Sequence, residues 1–172
     1  MRTLVALMLV FGAACSRRSG APGRPAAGTI AVSWTGKLTG GFAAPATARW
    51  CPADSLLEIT GVGTDTAIAI ALIARDSLRA EAYPINETRN YTSGRPQANA
   101  GLRMLGDLLL GYDAMGGQVS VTQAGPAVSG TLDVRLRPVA GSDTLQLRGS
   151  FERIRVERAT GICGRANKPG GG

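Results

Sequence analysis

The sequence predicts an all-β domain, either an antiparallel β-sandwich of jelly-roll type or a small β-barrel of about eight to nine strands. Two observations predict it. From Thr29 onward apolar residues recur with period two, the strand period. Turn punctuation also falls at short intervals, at Gly40-Gly41, residues 61–63, Gly116-Gly117, Gly125-Pro126 and residues 141–143.

In TIAVSWTG, Ile30, Val32 and Trp34 point one way, and Thr29, Ala31, Ser33 and Thr35 the other. TAIAIALIA sets Ile68, Ile70 and Leu72 on one side and Ala67, Ala69 and Ala71 on the other. A helix competes here because Ala and Leu favour helices. Length and strict alternation favour a central strand, buried on both faces or packing its small residues beneath a neighbouring segment. From Pro84, YPINETRNYTSGRPQANAG is polar with little alternation and reads as a long loop; LRMLGDLLLGYDA then reads as two strands broken at Gly106-Asp107, with a short helix as the alternative. QVSVTQ turns Val119 and Val121 inward, and GTLDVRLRP does the same with Leu132, Val134 and Leu136. In DTLQLRGSFERIRVE the inward set runs Leu145, Leu147, Gly149 and Phe151, then changes parity to Ile154 and Val156. One extra residue near Glu152 or Arg153 would do this, the signature of a β-bulge that keeps both Phe151 and Ile154 in the core.

Residues 1–14 have the three-part shape of a secretory signal: Arg2, an apolar run over residues 4–11, then Gly12, Ala13 and Ala14. The apolar run is shorter than the roughly 20 residues a membrane-spanning helix needs. Residues 15–28, rich in Gly, Pro, Ala and Arg, read as a flexible tether, and residues 29–172 as a single β domain with a disordered, Gly-rich C-terminal tail. The net charge of +7 is interleaved along the strands without a long run of one sign, which describes a solvated surface and not a nucleic-acid groove.

The chain contains no histidine, so no Ser-His-Asp triad, Cys-His pair or histidine-bearing zinc site can be assembled. It has no GxxxxGK[ST] stretch either. The acids stand beside arginines, Asp133 near Arg135, Glu152 near Arg153 and Glu157 near Arg155 and Arg158, as surface charge pairs do. The expectation is a protein without catalysis, cofactor or metal; a hydrolase using paired Asp/Glu on a glycan is the alternative. Candidate binding residues are of two kinds. Arg135, Arg137 and Arg148 would form an anion-binding patch if their strands pair, and Tyr83, Tyr91 and Tyr112 flank the long loop as a candidate ligand rim. Trp34 and Trp50 are assigned to the core.

The stretch FGAAC resembles the lipobox of bacterial lipoproteins, in which small residues precede a cysteine that becomes the acylated first residue. Gly12 departs from the aliphatic residue that the pattern prefers, and an ordinary signal peptidase would accept Gly12 and Ala14 while leaving Cys15 a thiol. The resemblance implies lipidation, including palmitate, at Cys15, and Ser16 in place of Asp implies outer-membrane sorting. Lipidation also resolves the odd cysteine count. It leaves Cys51 and Cys163 as a pair whose disulfide would close most of the domain, about 4–5 kcal/mol in the chain-entropy model. Two separate buried thiols are the alternative. GGQVSVTQAGPAVSGTLDVRLRP with LQLRGSFERIRV is similar to a pattern in uncharacterised lipoprotein β-domains, which carries no catalytic residues. The function expected is therefore a binding or structural module of the bacterial cell envelope, at the outer membrane or the periplasmic face. It would be held to the membrane by its N-terminal lipid and would meet an envelope protein or a glycan, not nucleic acid; a subunit of an envelope complex would add an exposed apolar patch.

Overall fold

The computed structural model describes residues 26–87 and 94–160, and these form nine strands and one 3-10 turn with no α-helix among the described residues. Cys15, Tyr91, Cys163 and the leader lie outside the described residues. No helix among the described residues is long and apolar enough to cross a membrane.

The architecture is a closed antiparallel barrel, so the barrel alternative holds and not the sandwich. The strands are β1 (Thr29–Gly36), β2 (Gly40–Cys51), β3 (Leu56–Val62), β4 (Thr66–Ile73), β5 (Ala82–Pro84), β6 (Gln97–Leu105), β7 (Leu109–Gln123), β8 (Ala127–Pro138) and β9 (Leu145–Arg158). Around the ring the order is β1, β2, β3, β4, β6, β7, β8, β9 and back to β1, closed by the β7–β8 and β1–β9 ladders. β5 is the extra strand. It pairs with the second half of β7 (Tyr83 opposite Val119), while β6 pairs with the first half (Gly101 opposite Asp113). β7 changes neighbour after its register shift between Ala114 and Gly116. Gly117 has φ 101° there, and a Cβ would collide with the Asp133 carbonyl, so only glycine fits.

An eight-stranded barrel has an interior just wide enough for side chains to fill. The predicted inward sets fill it: Ile30, Val32 and Trp34 are at most 7 % exposed, and Leu132, Val134, Leu136, Leu145 and Leu147 at most 2 %. Large residues pass over glycines on facing strands. A Cβ on Gly130 would lie 2.5 Å from the Phe151 ring, one on Gly40 2.6 Å from Trp34, and one on Gly149 2.6 Å from Val32. The glycines are the holes into which these knobs fit, which brings the interior to native packing density.

The β9 bulge is present where the parity change places it. β8 and β9 shift register between Val128, opposite Ile154, and Gly130, opposite Phe151, so Glu152 and Arg153 together face Ser129 and β9 carries one extra residue. Phe151 and Ile154 are both buried. Arg153 takes φ 43°, a left-handed conformation that costs a non-glycine residue about 1–2 kcal/mol. The Ser129 hydroxyl offsets this by accepting the Arg153 N–H at 2.9 Å while donating to Gln123 Oε1 at 3.3 Å.

Two expectations are corrected. The stretch read as a long loop contains the first half of β6 and the end of β5. In QANAGLRML the inward residues include Ala98 and Ala100, too small to give a clear apolar alternation, yet both are buried against the core. β4 is buried on its Ile68, Ile70 and Leu72 face, but its alanine face is not covered by any described segment: Ala69 is exposed and Ala67 and Ala71 are half-buried. The β3–β4 and β4–β6 ladders occupy both edges of β4 and leave this outer face to solvent. It forms the floor of a shallow groove between the Arg49–Glu58 and Arg103–Asp113 ion pairs, 2.6 and 3.0 Å.

Gly130→Ala is expected to destabilise the protein by about 1–3 kcal/mol, the range for overpacking a tight core. Gly106→Ala, where a Cβ meets nothing within 4 Å, is expected to stay within about 0.5 kcal/mol of wild type. Denaturant midpoints of the two variants check this.

Candidate functional site: the apolar crown

Because the strands alternate in direction, the turns segregate to two ends. β1–β2, β3–β4, β6–β7 and β8–β9 turn at one end, the crown; the other end holds the start of β1, the end of β9 and the long connection through β5. The described chain enters at that lower end, where the Gly28 N–H donates to the Glu152 carbonyl at 2.7 Å. It leaves there too, the Ala159 N–H donating to the Trp50 carbonyl at 2.9 Å.

Among the described residues, exposed large apolar side chains occur at one of these ends and not at the other. Leu38, Val62, Leu105, Leu108, Leu109, Leu110 and Val139 are 39–74 % exposed, and every one lies in or beside a crown turn. The lower-end connections contribute none to this set. Single exposed leucines are ordinary, but seven apolar residues on one end of a barrel are a candidate interaction surface.

The crown turns are fastened to each other. The Leu105 N–H donates to the Asp65 carbonyl at 2.6 Å, joining the β6–β7 tip to the β3–β4 turn, and the Val139 N–H donates to the Gly111 carbonyl at 2.8 Å. Lys37 reaches Asp143 at 2.7 Å across the β1–β2 and β8–β9 turns, and this hydrogen bond, with the carboxylate's charge, holds the ammonium above its ordinary pKa. Between the β6–β7 tip and the β3–β4 turn opens a cavity of about 410 Å³ lined by Trp34, Asp65, Met104, Leu105, Asp107, Leu108 and Leu110 among others.

The residues singled out from sequence fall elsewhere. Arg135, Arg137 and Arg148 do share the outer face of the paired β8 and β9, but acids interrupt them. Arg148 bonds Asp133 at 3.2 Å, Gln146 donates to the same carboxylate, and Arg137 stands opposite Asp113. The three arginines share this face with Asp133 and Asp113, and the partner of Asp133 is Arg148 and not the sequence neighbour Arg135. The tyrosine rim is also corrected. Tyr83 is fully buried with its hydroxyl bonded to the Arg79 backbone N–H and carbonyl, both at 3.2 Å, and Tyr112 is buried inside the barrel. Their inward parity on β5 and β7 puts both rings in the core. Trp34 is core as expected, and Trp50 is partly buried against it. No cluster of three or more His, Cys, Asp or Glu residues able to hold a metal occurs among the described residues.

The reading of LRMLGDLLLGYDA as a strand pair leaves the exposure of its tip unassigned. The signal was the run Leu108-Leu109-Leu110 beside a turn, which cannot put every leucine inward at period two. No protein-family model, curated protein or solved structure matches the chain.

Replacing Leu105, Leu108 and Leu109 together by serine is expected to abolish binding of an apolar fluorescent dye while leaving stability within about 0.5 kcal/mol per substitution, as for other exposed sites. Dye titration and thermal melting measure the two. Tyr83 generates a pH prediction. Burial raises its pKa, with the Arg79 backbone bond opposing, so its contribution is complete below the ordinary tyrosine pKa and is lost as pH rises through the folded-state value. Tyr83→Phe should flatten the alkaline loss of stability, at a cost of about 0.5–1.5 kcal/mol at neutral pH for the missing hydroxyl bonds.

Proposed function

We propose that this protein is a non-catalytic binding module of the bacterial cell envelope, held by a lipid on Cys15 and presenting its crown to a partner protein. One observation carries the reading. The described chain enters at the lower end of the barrel, and the large exposed apolar side chains among the described residues lie at the opposite end, where a tether over residues 15–28 would display them away from the anchor.

Charge supports the same orientation. Of the nineteen basic residues, Arg2, Arg17, Arg18, Arg24, Arg89, Arg165 and Lys168 lie outside the described residues, which leaves twelve against all twelve acids and a formally neutral barrel. Removal of the leader would leave Arg17, Arg18 and Arg24 in the tether, next to anionic head groups that each attract a basic residue by about 1 kcal/mol. The staple between Cys51 and Cys163 belongs to this proposal. Cys51 is fully buried at the end of β2, and the last described turn of backbone bonds the neighbouring Trp50, four residues before Cys163. At up to about 3.5 Å per residue that connection is ample.

Intact mass and non-reducing peptide mapping of the protein from a bacterial membrane fraction test the anchor and the staple. The expected result is an acylated Cys15, Cys51 linked to Cys163, and release of Cys15→Ser to the soluble fraction. An unmodified Cys15 in soluble protein would overturn the anchor. A photo-crosslinker at position 108 tests the crown: it should trap a discrete envelope protein, and the triple serine variant with the crosslinker moved to position 62 should not.

A further inference from the structure

The crown is apolar but not uncharged. Asp65 and Asp107 both line its cavity, beside Trp34, Met104, Leu105 and Leu108. The third crown acid, Asp143, is answered by Lys37 at 2.7 Å. Asp65 accepts only the neutral hydroxyl of Thr66, at 3.0 Å, and among the described residues no basic side chain pairs with either Asp65 or Asp107. The nearest guanidinium on β6, that of Arg103, is committed to the Tyr112 carbonyl at 2.8 Å and to Asp113 at 3.0 Å on the outer face.

Covering the crown takes both carboxylates out of water. An entirely apolar partner would leave them buried and unpaired, which costs far more than the hydrophobic contact around them returns. An anionic lipid surface would add repulsion. A cation entering the cavity that both carboxylates line, carried on an apolar surface, meets both requirements at once. We infer that the crown cavity receives a lysine or arginine side chain of the partner protein, its apolar neighbours packing on the leucines of the β6–β7 tip. The inference rests on the reading of the crown as a docking surface and adds the chemistry of what docks.

Trp34 in the cavity wall is a built-in reporter once Trp50→Phe removes the other tryptophan. Octyltrimethylammonium, octanol and octanesulfonate share one tail and differ in charge, and each can be titrated into the soluble Cys15→Ser/Trp50→Phe protein below its micelle concentration. The cation is expected to bind about tenfold more tightly than octanol at low salt, the difference shrinking as salt screens it, and octanesulfonate more weakly than either. Asp65→Asn/Asp107→Asn should bring the cation to the affinity of octanol while leaving octanol binding and the melting temperature unchanged.

Equal affinity for cation and octanol, or a preference that survives the double asparagine substitution, would overturn the inference but leave the docking reading standing, because octanol would still report an apolar site. Failure of all three probes to perturb Trp34, with no crosslink at position 108, would overturn both. Binding of phosphatidylglycerol vesicles that is lost in the triple serine variant would overturn the basic-side-chain assignment in favour of a membrane.

Discussion

A closed barrel of eight strands fixes its own interior volume, and the remainder of this molecule answers to that constraint. Strand number and tilt set the radius before any side chain is chosen, so large residues on one strand require space on the strand facing it. Here the space is glycine: Phe151 over Gly130, Trp34 over Gly40 and Val32 over Gly149. The alanines of β2 and β6, Ala44, Ala48, Ala98 and Ala100, continue the same economy. The interior is therefore occupied by the protein's own side chains.

Closure also decides where the outside can be distinctive. With β7 bonded to β8 and β1 to β9, the barrel proper has no free edge to extend by strand addition. The wall is a ladder of compensated charges, Arg49 with Glu58, Arg103 with Asp113 and Arg148 with Asp133, each exposed enough to contribute little to stability. The ends are what remain. Up-and-down connectivity sends four turns to the crown and both described termini to the base, so the exposed apolar side chains of the crown and the described chain ends are separated by the length of the barrel.

Local chemistry holds the two places where the ladder is irregular. At the β9 bulge, Ser129 supplies the acceptor that the displaced Arg153 N–H would otherwise lack; at the bend of β7, Gly117 takes a conformation that other residues resist. The first lets Phe151 and Ile154 both enter the core, and the second lets β7 serve β6 with one half and β5 with the other. The position of Tyr83, opposite Val119, follows from the second.

The inward sets of β1, β4, β8 and β9 and the β9 bulge were determined by the sequence alone, because side-chain direction at period two is a local property and a slip in parity leaves its mark within a few residues. The first half of β6 escaped because Ala98 and Ala100 carry too little apolar contrast to show an alternation, and their burial depends on what packs against them. The choice of barrel over sandwich belonged to the tertiary structure, since it rests on ladders between distant segments such as Ile30 with Phe151. So did the fate of the candidate sites. Arg148 finds Asp133 across a ladder and Tyr83 turns inward beside β7, while Leu38, Val62, Leu105 and Val139, far apart along the chain, become neighbours only when alternate turns are gathered at one end. Period and polarity are written residue by residue; which surfaces coincide is decided by closure, and closure is a long-range pairing.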